Sequence, residues 1–196
     1  MEADAAVLVP VKAFGEAKRR LSPALAPADR AALSRRLAAG VVAAAGPLPV
    51  AVVCDDRAVA GWARGLGALV IWAPGQGLNR AVAGGVARLA ADGVPTVLVA
   101  HGDLARPAGL PDLLDGHPPA GVTLVPDGGL DGTNVVVIPA GLAFRFSYGP
   151  GSFRRHLDEA TACGLSVRVV RGSDLSLDVD LPSDLPLAAG APRPGR

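Results

Sequence analysis

The chain is poor in aromatic residues, nearly free of cysteine and without a surplus of either charge. Aromatics make up 4% of its 196 residues, so a core must be packed from Ala, Val and Leu; with 50% of the chain apolar there is enough to bury one. The two cysteines, Cys54 and Cys163, are far apart and match no metal-binding spacing. That excludes a disulfide framework or a zinc ribbon and predicts two idle thiols in a reducing compartment. A formal net charge of +1 excludes a broad nucleic-acid-wrapping surface, so any anionic ligand must be held by a local arrangement. No apolar run approaches the ~20 residues that span a bilayer. The first residues include Glu2 and Asp4, and the apolar run Ala5–Val11 contains Pro10 and stops at Lys12, unlike a signal peptide. These absences predict a cytoplasmic protein that takes neither membrane nor nucleic acid as partner. The length suits one α/β domain over residues 1–190, followed by a frayed, Pro- and Arg-containing tail over 191–196.

What the chain does have is alternation. Short β-branched runs predict strands at Ala6–Val11, Val50–Cys54, Ala68–Trp72, Thr96–Ala100, Val122–Val125, Asn134–Ile138 and Leu165–Val170. Ala-rich stretches between them predict helices at Ala28–Ala45, Arg57–Leu66, Leu78–Ala91 and Phe153–Ala162. Continuous apolar strands separated by helices imply a mostly parallel, mixed central sheet covered on both faces, a Rossmann-like α/β architecture. The long connection from Gly102 to Gly121 and the turn at Asp127–Thr133 suggest an antiparallel insertion near one edge. Ligands of such sheets sit beyond the carboxyl ends of the strands, so the chemistry is sought there.

After the first strand, residues 1–36 carry seven Lys and Arg against four acids, with Lys12, Lys18, Arg19 and Arg20 in the loop itself. Such a run is either a solvated face or a cradle for a triphosphate, whose oxygens accept charge-assisted hydrogen bonds. The turn Gly75-Gln76-Gly77-Leu78-Asn79 reads as a helix cap or as a place where glycines admit a flat base and Asn79 reads its edge. Asp103, beside Gly102 at the end of the fourth strand, suits a helix cap or a divalent cation equally.

Asp178 and Asp180 share one face of Leu177–Leu181 if that segment is extended, with Leu177, Val179 and Leu181 on the other. Two like charges so close mark either a hydrated edge or a magnesium site. Asp131-Gly132-Thr133-Asn134 and Gly149-Pro150-Gly151-Ser152-Phe153 adjoin regular elements; the second opens a helix whose N–H groups favour an anion. His156 reads as a helix-surface or packing residue and His117 as a loop residue.

Taken in order along the chain, these motifs resemble the 2-phospho-L-lactate/phosphoenolpyruvate guanylyltransferases of coenzyme F420 biosynthesis (CofC/FbiD). The likeness runs from Val9-Pro10-Val11-Lys12 to Asp180-Leu181-Pro182-Ser183-Asp184-Leu185. It takes in Ala17-Lys18-Arg19-Arg20-Leu21-Ser22-Pro23, Gly77-Leu78-Asn79, Gly132-Thr133-Asn134 and Gly149-Pro150-Gly151-Ser152-Phe153.

The resemblance implies a single-domain nucleotidyltransferase fold, GTP as donor and Mg2+ as the metal. It puts metal-binding aspartates at Asp103, Asp178 and Asp180, and contacts to the phosphoenolpyruvate acceptor at Thr133, Gly149 and Ser152. Nucleotide contacts are expected at Lys12, Lys18, Arg19, Gly77 and Asn79. Two positions depart from the family's pattern: Ala105 stands where it has Pro, and His101 where a small or apolar residue is expected. The implied reaction is in-line attack of the acceptor's phosphate on the α-phosphorus of GTP, with pyrophosphate leaving, and a handover of the unstable product to the next enzyme. The alternatives are the same reaction on 2-phospho-L-lactate, a molybdopterin or sugar-phosphate nucleotidyltransferase, and a non-catalytic nucleotide-binding domain. Against the second of these, Val11-Lys12-Ala13-Phe14-Gly15 holds the place of a glycine-rich, Arg-Met-Gly-like loop.

Overall fold

Val7 and Val9 of the first strand, β1 (Ala5–Pro10), enter one apolar cluster while Ala6 and Leu8 enter another. Successive side chains leave a strand on opposite faces, so a strand apolar at every position must lie between two layers. The computed structural model describes residues 4–190; the tail predicted over 191–196 lies outside the described residues. The other strands are β2 (Val50–Cys54), β3 (Leu69–Trp72), β4 (Thr96–Ala100), β5 (Gly121–Pro126), β6 (Thr133–Pro139) and β7 (Ser166–Val169). They form one sheet in the order β3-β2-β1-β4-β6-β5-β7. The helices are α1 (Pro27–Ala44), α2 (Arg57–Gly65), α3 (Gly77–Ala91), α4 (Ser152–Ala162) and a short α5 (Leu185–Ala188).

Helices α1 and α2 cover one face of the sheet and α3 and α4 the other. Pro27 begins α1, where its missing N–H costs nothing, and the Asp56 carboxylate caps α2 by accepting from the Val59 N–H at 2.9 Å. Gly85 lets α3 lie close over β1: a Cβ there would stand 2.7 Å from Leu8 Cδ2.

The antiparallel strand is not near an edge as expected. β6 runs antiparallel between β4 and β5, and β7 takes the edge parallel to β5. The reason is in the residues: β6 is buried through Ile138, as a central strand must be, whereas β7 exposes Ser166 and Val167 and carries Arg168.

A third, smaller cluster positions the site. Leu21 and Val179, both fully buried, pack with Leu33 and Leu37 of α1 and fasten the basic loop and the C-terminal segment to the same helix. Phe14, edge-on to Trp62 at 5.2 Å and covered by the Arg35 guanidinium at 5.1 Å, anchors the loop's other end.

Candidate active site

The carboxyl ends of β1 and β4 open onto a groove of about 360 Å³ lined by Lys12, Lys18, Arg19, Arg20, His101 and Asp103, among others. On one side it meets a small apolar recess of about 70 Å³ bounded by Lys12, Val53, Cys54, Gly77 and Leu78. On the other, across His101, Asp103, Asp180 and Arg20, lies a second pocket of about 240 Å³. Thr133, Asn134, Gly149, Ser152 and Asp178 line that pocket. Recess, groove and pocket therefore follow one another along the sheet edge.

Backbone pairing brings the aspartates to the shared wall. Ala105 N–H donates to Leu177 O at 2.8 Å and Val179 N–H to Asp103 O at 3.2 Å, which lays 177–179 antiparallel beside 103–105. Leu177 and Val179 are buried as expected, but Leu181 is 48% exposed. The extended run stops at Asp180 because the Asp184 carboxylate accepts from the N–H groups of both Asp180 and Leu181, at 3.0 and 2.7 Å.

Lys18 stands between two of the acids. Its Nζ lies 2.7 Å from Asp103 Oδ2 and 3.0 Å from Asp180 Oδ1, and only 5% of its side chain is exposed. Lys18, expected at the nucleotide, lines the groove, and both acids draw its ammonium inward. Its backbone adopts the left-handed conformation, φ 57° and ψ 38°, uncommon for a residue with a Cβ and a sign of local strain. Burial lowers the Lys18 pKa, but the two carboxylates outweigh it and raise the value. At Asp103 burial favours the neutral form, and the Lys18 charge prevails, holding the carboxyl below its ordinary range. Asp178 has no such partner. Burial, then the charges of Asp103 and Asp180, push it up to about 6 despite a bond of 3.4 Å from Asn134 Nδ2.

Among the described residues, no three His, Cys, Asp or Glu side chains are gathered tightly enough to cage a metal. Two of the expected trio, Asp103 and Asp180, are bridged by the Lys18 ammonium. The donor set still fits a hard divalent cation: the oxygens are carboxylate, Asp103 Oδ1 is buried with no hydrogen-bond partner, and the Asp178 pKa is raised by burial and by the charges of Asp103 and Asp180, which a cation would offset. Magnesium keeps several waters and takes substrate phosphates as ligands, so a complete protein cage is not required.

The second pocket differs from expectation at the start of α4. Gly151 occupies the cap position, Gly151 N–H donates to Asp131 Oδ1 at 2.9 Å, and the Ser152 and Phe153 N–H groups bond Gly149 O and Asp131 O. The N–H groups of Gly151, Ser152 and Phe153 are thus taken up by the protein itself, leaving the Thr133 and Ser152 side chains among the polar groups that line the pocket. Gly149 has φ 114°, a conformation that favours glycine. Arg155 grips the outer side of this loop, donating to Ser147 O at 2.8 Å and Pro150 O at 2.6 Å. The Asp127 carboxylate accepts from the N–H groups of Gly129, Asp131 and Gly132 and shapes the β5–β6 turn.

Gly77 lines the apolar recess as expected, but Asn79 does not. Its Oδ1 accepts from Tyr148 N–H at 2.7 Å, tying α3 to the loop before α4. His156, read as a helix-surface or packing residue, is fully buried, but its bond to Thr133 Oγ1 at 3.0 Å was not foreseen. Its four-residue spacing from Ser152 on one helix face was the available signal.

Comparison with known proteins gives the family. The family model for guanylyl transferase CofC-like proteins matches residues 5–187. A phosphoenolpyruvate guanylyltransferase from Rubrobacter xylanophilus is 39% identical over 185 residues, covering 91% of this chain and 90% of that protein. A 2-phospho-L-lactate guanylyltransferase from Methanothermobacter thermautotrophicus is 34% identical, covering 91% and 81%. A nucleotidyl transferase structure from the same genus superposes with a TM-score of 0.63 at 16% identity, covering 94% and 95%, a likeness of fold alone. The chain belongs to the CofC-like guanylyl transferase family.

Proposed function

We propose that the chain transfers the guanylyl group of GTP to phosphoenolpyruvate, releasing pyrophosphate and forming enolpyruvoyl-2-diphospho-5'-guanosine for coenzyme F420 biosynthesis. The observation that carries this reading is the shared wall: Asp103 and Asp180, bridged by Lys18 on the groove side, separate a basic groove from a pocket holding Thr133 and Ser152. Two anionic substrates on either side of that wall would bring phosphorus and nucleophile together there. The name of the Rubrobacter relative supports phosphoenolpyruvate as acceptor, and that of the Methanothermobacter relative supports 2-phospho-L-lactate as the second reading.

In this reading the guanine lies in the recess by Gly77 and Leu78, and Lys12, Arg19 and Arg20 hold the triphosphate. Thr133, Gly149 and Ser152 orient the acceptor. An oxygen of its phosphate attacks the α-phosphorus as the bond to the β-phosphate oxygen breaks, and pyrophosphate carries away the electron pair. The nucleophile is already ionised at neutral pH, so no side chain need take a proton. Asp103, Asp178 and Asp180 would hold Mg2+, which when bound offsets charge gathering on the phosphates. Until then the Lys18 ammonium offsets part of the charge of Asp103 and Asp180. We place the reaction in the cytoplasm, a reading supported by the free thiols Cys54 and Cys163, with the reactive diphosphate handed to the next enzyme.

Pyrophosphate release from GTP, measured with phosphoenolpyruvate, 2-phospho-L-lactate, glucose 1-phosphate and molybdopterin, tests the proposal. Product masses should show a guanylylated phosphoenolpyruvate. Turnover with a sugar phosphate alone, or with ATP as readily as GTP, refutes it.

A further inference from the structure

Thr133 and Ser152 are buried hydroxyls 3.4 Å apart, Oγ to Oγ1, in the wall of the acceptor pocket. A hydroxyl both gives and receives, so by itself the pair has no fixed polarity. Behind it lies His156, four residues beyond Ser152 on α4 and sealed from solvent. Its Nε2 is 2.9 Å from the backbone nitrogen of Ser147. That nitrogen only donates, so Nε2 carries the lone pair and the proton of the neutral ring is on Nδ1. Nδ1–H then donates to Thr133 Oγ1 at 3.0 Å. Burial, reinforced by the Arg155 charge, holds the ring's pKa down at about 4, so it is neutral at physiological pH.

The proton count then fixes what the pair offers. Thr133 Oγ1 receives one bond from His156, and the two hydroxyls own two protons. Whichever of them donates to the other, one O–H is left over and faces the pocket. With the opposite tautomer, Thr133 would donate its proton to Nδ1 and the surplus would vanish. Ser147, whose N–H sets the tautomer, is itself held through the next peptide, because Arg155 Nη2 and Nε donate to the Ser147 carbonyl at 2.8 and 3.2 Å.

We infer that His156 is a positioning residue for the acceptor: through Thr133 it presets the Thr133–Ser152 pair as a hydrogen-bond donor to an anionic oxygen. Ser147 and Arg155 lock the arrangement from behind. The inference rests on the reading of this pocket as the acceptor's. A carboxylate or phosphate oxygen satisfies such a donor, whereas a neutral hydroxyl in its place would leave the pair no better bonded than water does.

The test is a double-mutant cycle with His156→Phe, which keeps the ring and removes both nitrogens, and Thr133→Val, which removes the hydroxyl. Each single variant should raise KM for phosphoenolpyruvate roughly tenfold or more, with KM for GTP within about twofold. Adding His156→Phe to Thr133→Val should have no further effect. Equal effects of His156→Phe in both backgrounds refute the relay and leave the acceptor reading intact. An unchanged acceptor KM in Thr133→Val refutes both. Should His156→Phe not fold, 15N chemical shifts of the parent's imidazole decide: a protonated Nδ1 supports the relay and a protonated Nε2 overturns it.

Discussion

Lys18 and Asp103, 85 residues apart in the chain, meet with Nζ 2.7 Å from Oδ2, and the same ammonium reaches Asp180. A cation of the protein's own thus occupies the gap between two acids that the family resemblance assigns to a metal. The lysine is held there from both sides, by Phe14 packing before it and Leu21 after it.

If the ammonium and a divalent cation answer the same negative charge, removing one should sharpen the need for the other. Lys18→Met should lower stability without metal by about 2 kcal/mol, under the ~3–5 kcal/mol of a fully enclosed pair because Asp180 is partly open to water. Mg2+ should then raise the Tm of the variant more than that of the parent. Thermal melts of both proteins with and without Mg2+ check this; equal shifts would contradict it.

Asp178 gives a pH signature. Its folded-state pKa, about 6, lies above the ordinary 3.8, so folding favours the protonated carboxyl. The stability this contributes is full below pH 3.8 and is lost as pH rises through 6. By linkage the loss is at most about 3 kcal/mol. Asp178→Asn should remove it, making the metal-free variant the more stable protein at pH 7, while turnover falls roughly a hundredfold or more. Denaturant unfolding from pH 4 to 8 should show the two curves separating between those pH values. Parallel curves, or near-parent turnover at saturating Mg2+, would count against the assignment.

Asn79 and Ser152 should both act on the acceptor and spare the nucleotide. Asn79→Ala frees the Tyr148 N–H and loosens the loop before α4, whereas Asn79→Asp retains an accepting oxygen. The first should raise the acceptor KM about tenfold and the second should largely restore it. Ser152→Ala should raise the same KM by roughly ten- to a hundredfold and hardly move the Tm, since its side chain does not cap α4. Steady-state kinetics with each substrate varied in turn separate these outcomes. A rise in the GTP KM on Asn79→Ala would restore its reading as a contact to the base.

Local pattern carried most of the fold into the sequence. Val97–Ala100 and Val135–Ile138 read as buried strands because apolar, β-branched runs have few other places to go. The position of β6 was not legible, since an apolar strand looks alike in either direction and only pairing distinguishes them. Asp178 and Asp180 were legible as a like-charge pair, but the Lys18 ammonium between Asp180 and Asp103 was not. Nothing local links a lysine to acids 85 and 162 residues away. His156 escaped for a related reason: its importance lies in what its two nitrogens touch, and both partners come from other parts of the chain.

The reversal at β6 divides the protein's work. On the β1–β4 side, strands deliver residues to the groove from their ends; β6 runs the other way and delivers Thr133 and Asn134 from its beginning. Everything that faces the groove alone comes from residues before this boundary. Thr133, Gly149 and Ser152, which face the pocket alone, come after it. In the proposed reading, donor and acceptor recognition thus fall to separate parts of one sheet. A new acceptor could be acquired by redrafting the hairpin and α4 while the nucleotide half stayed as it was.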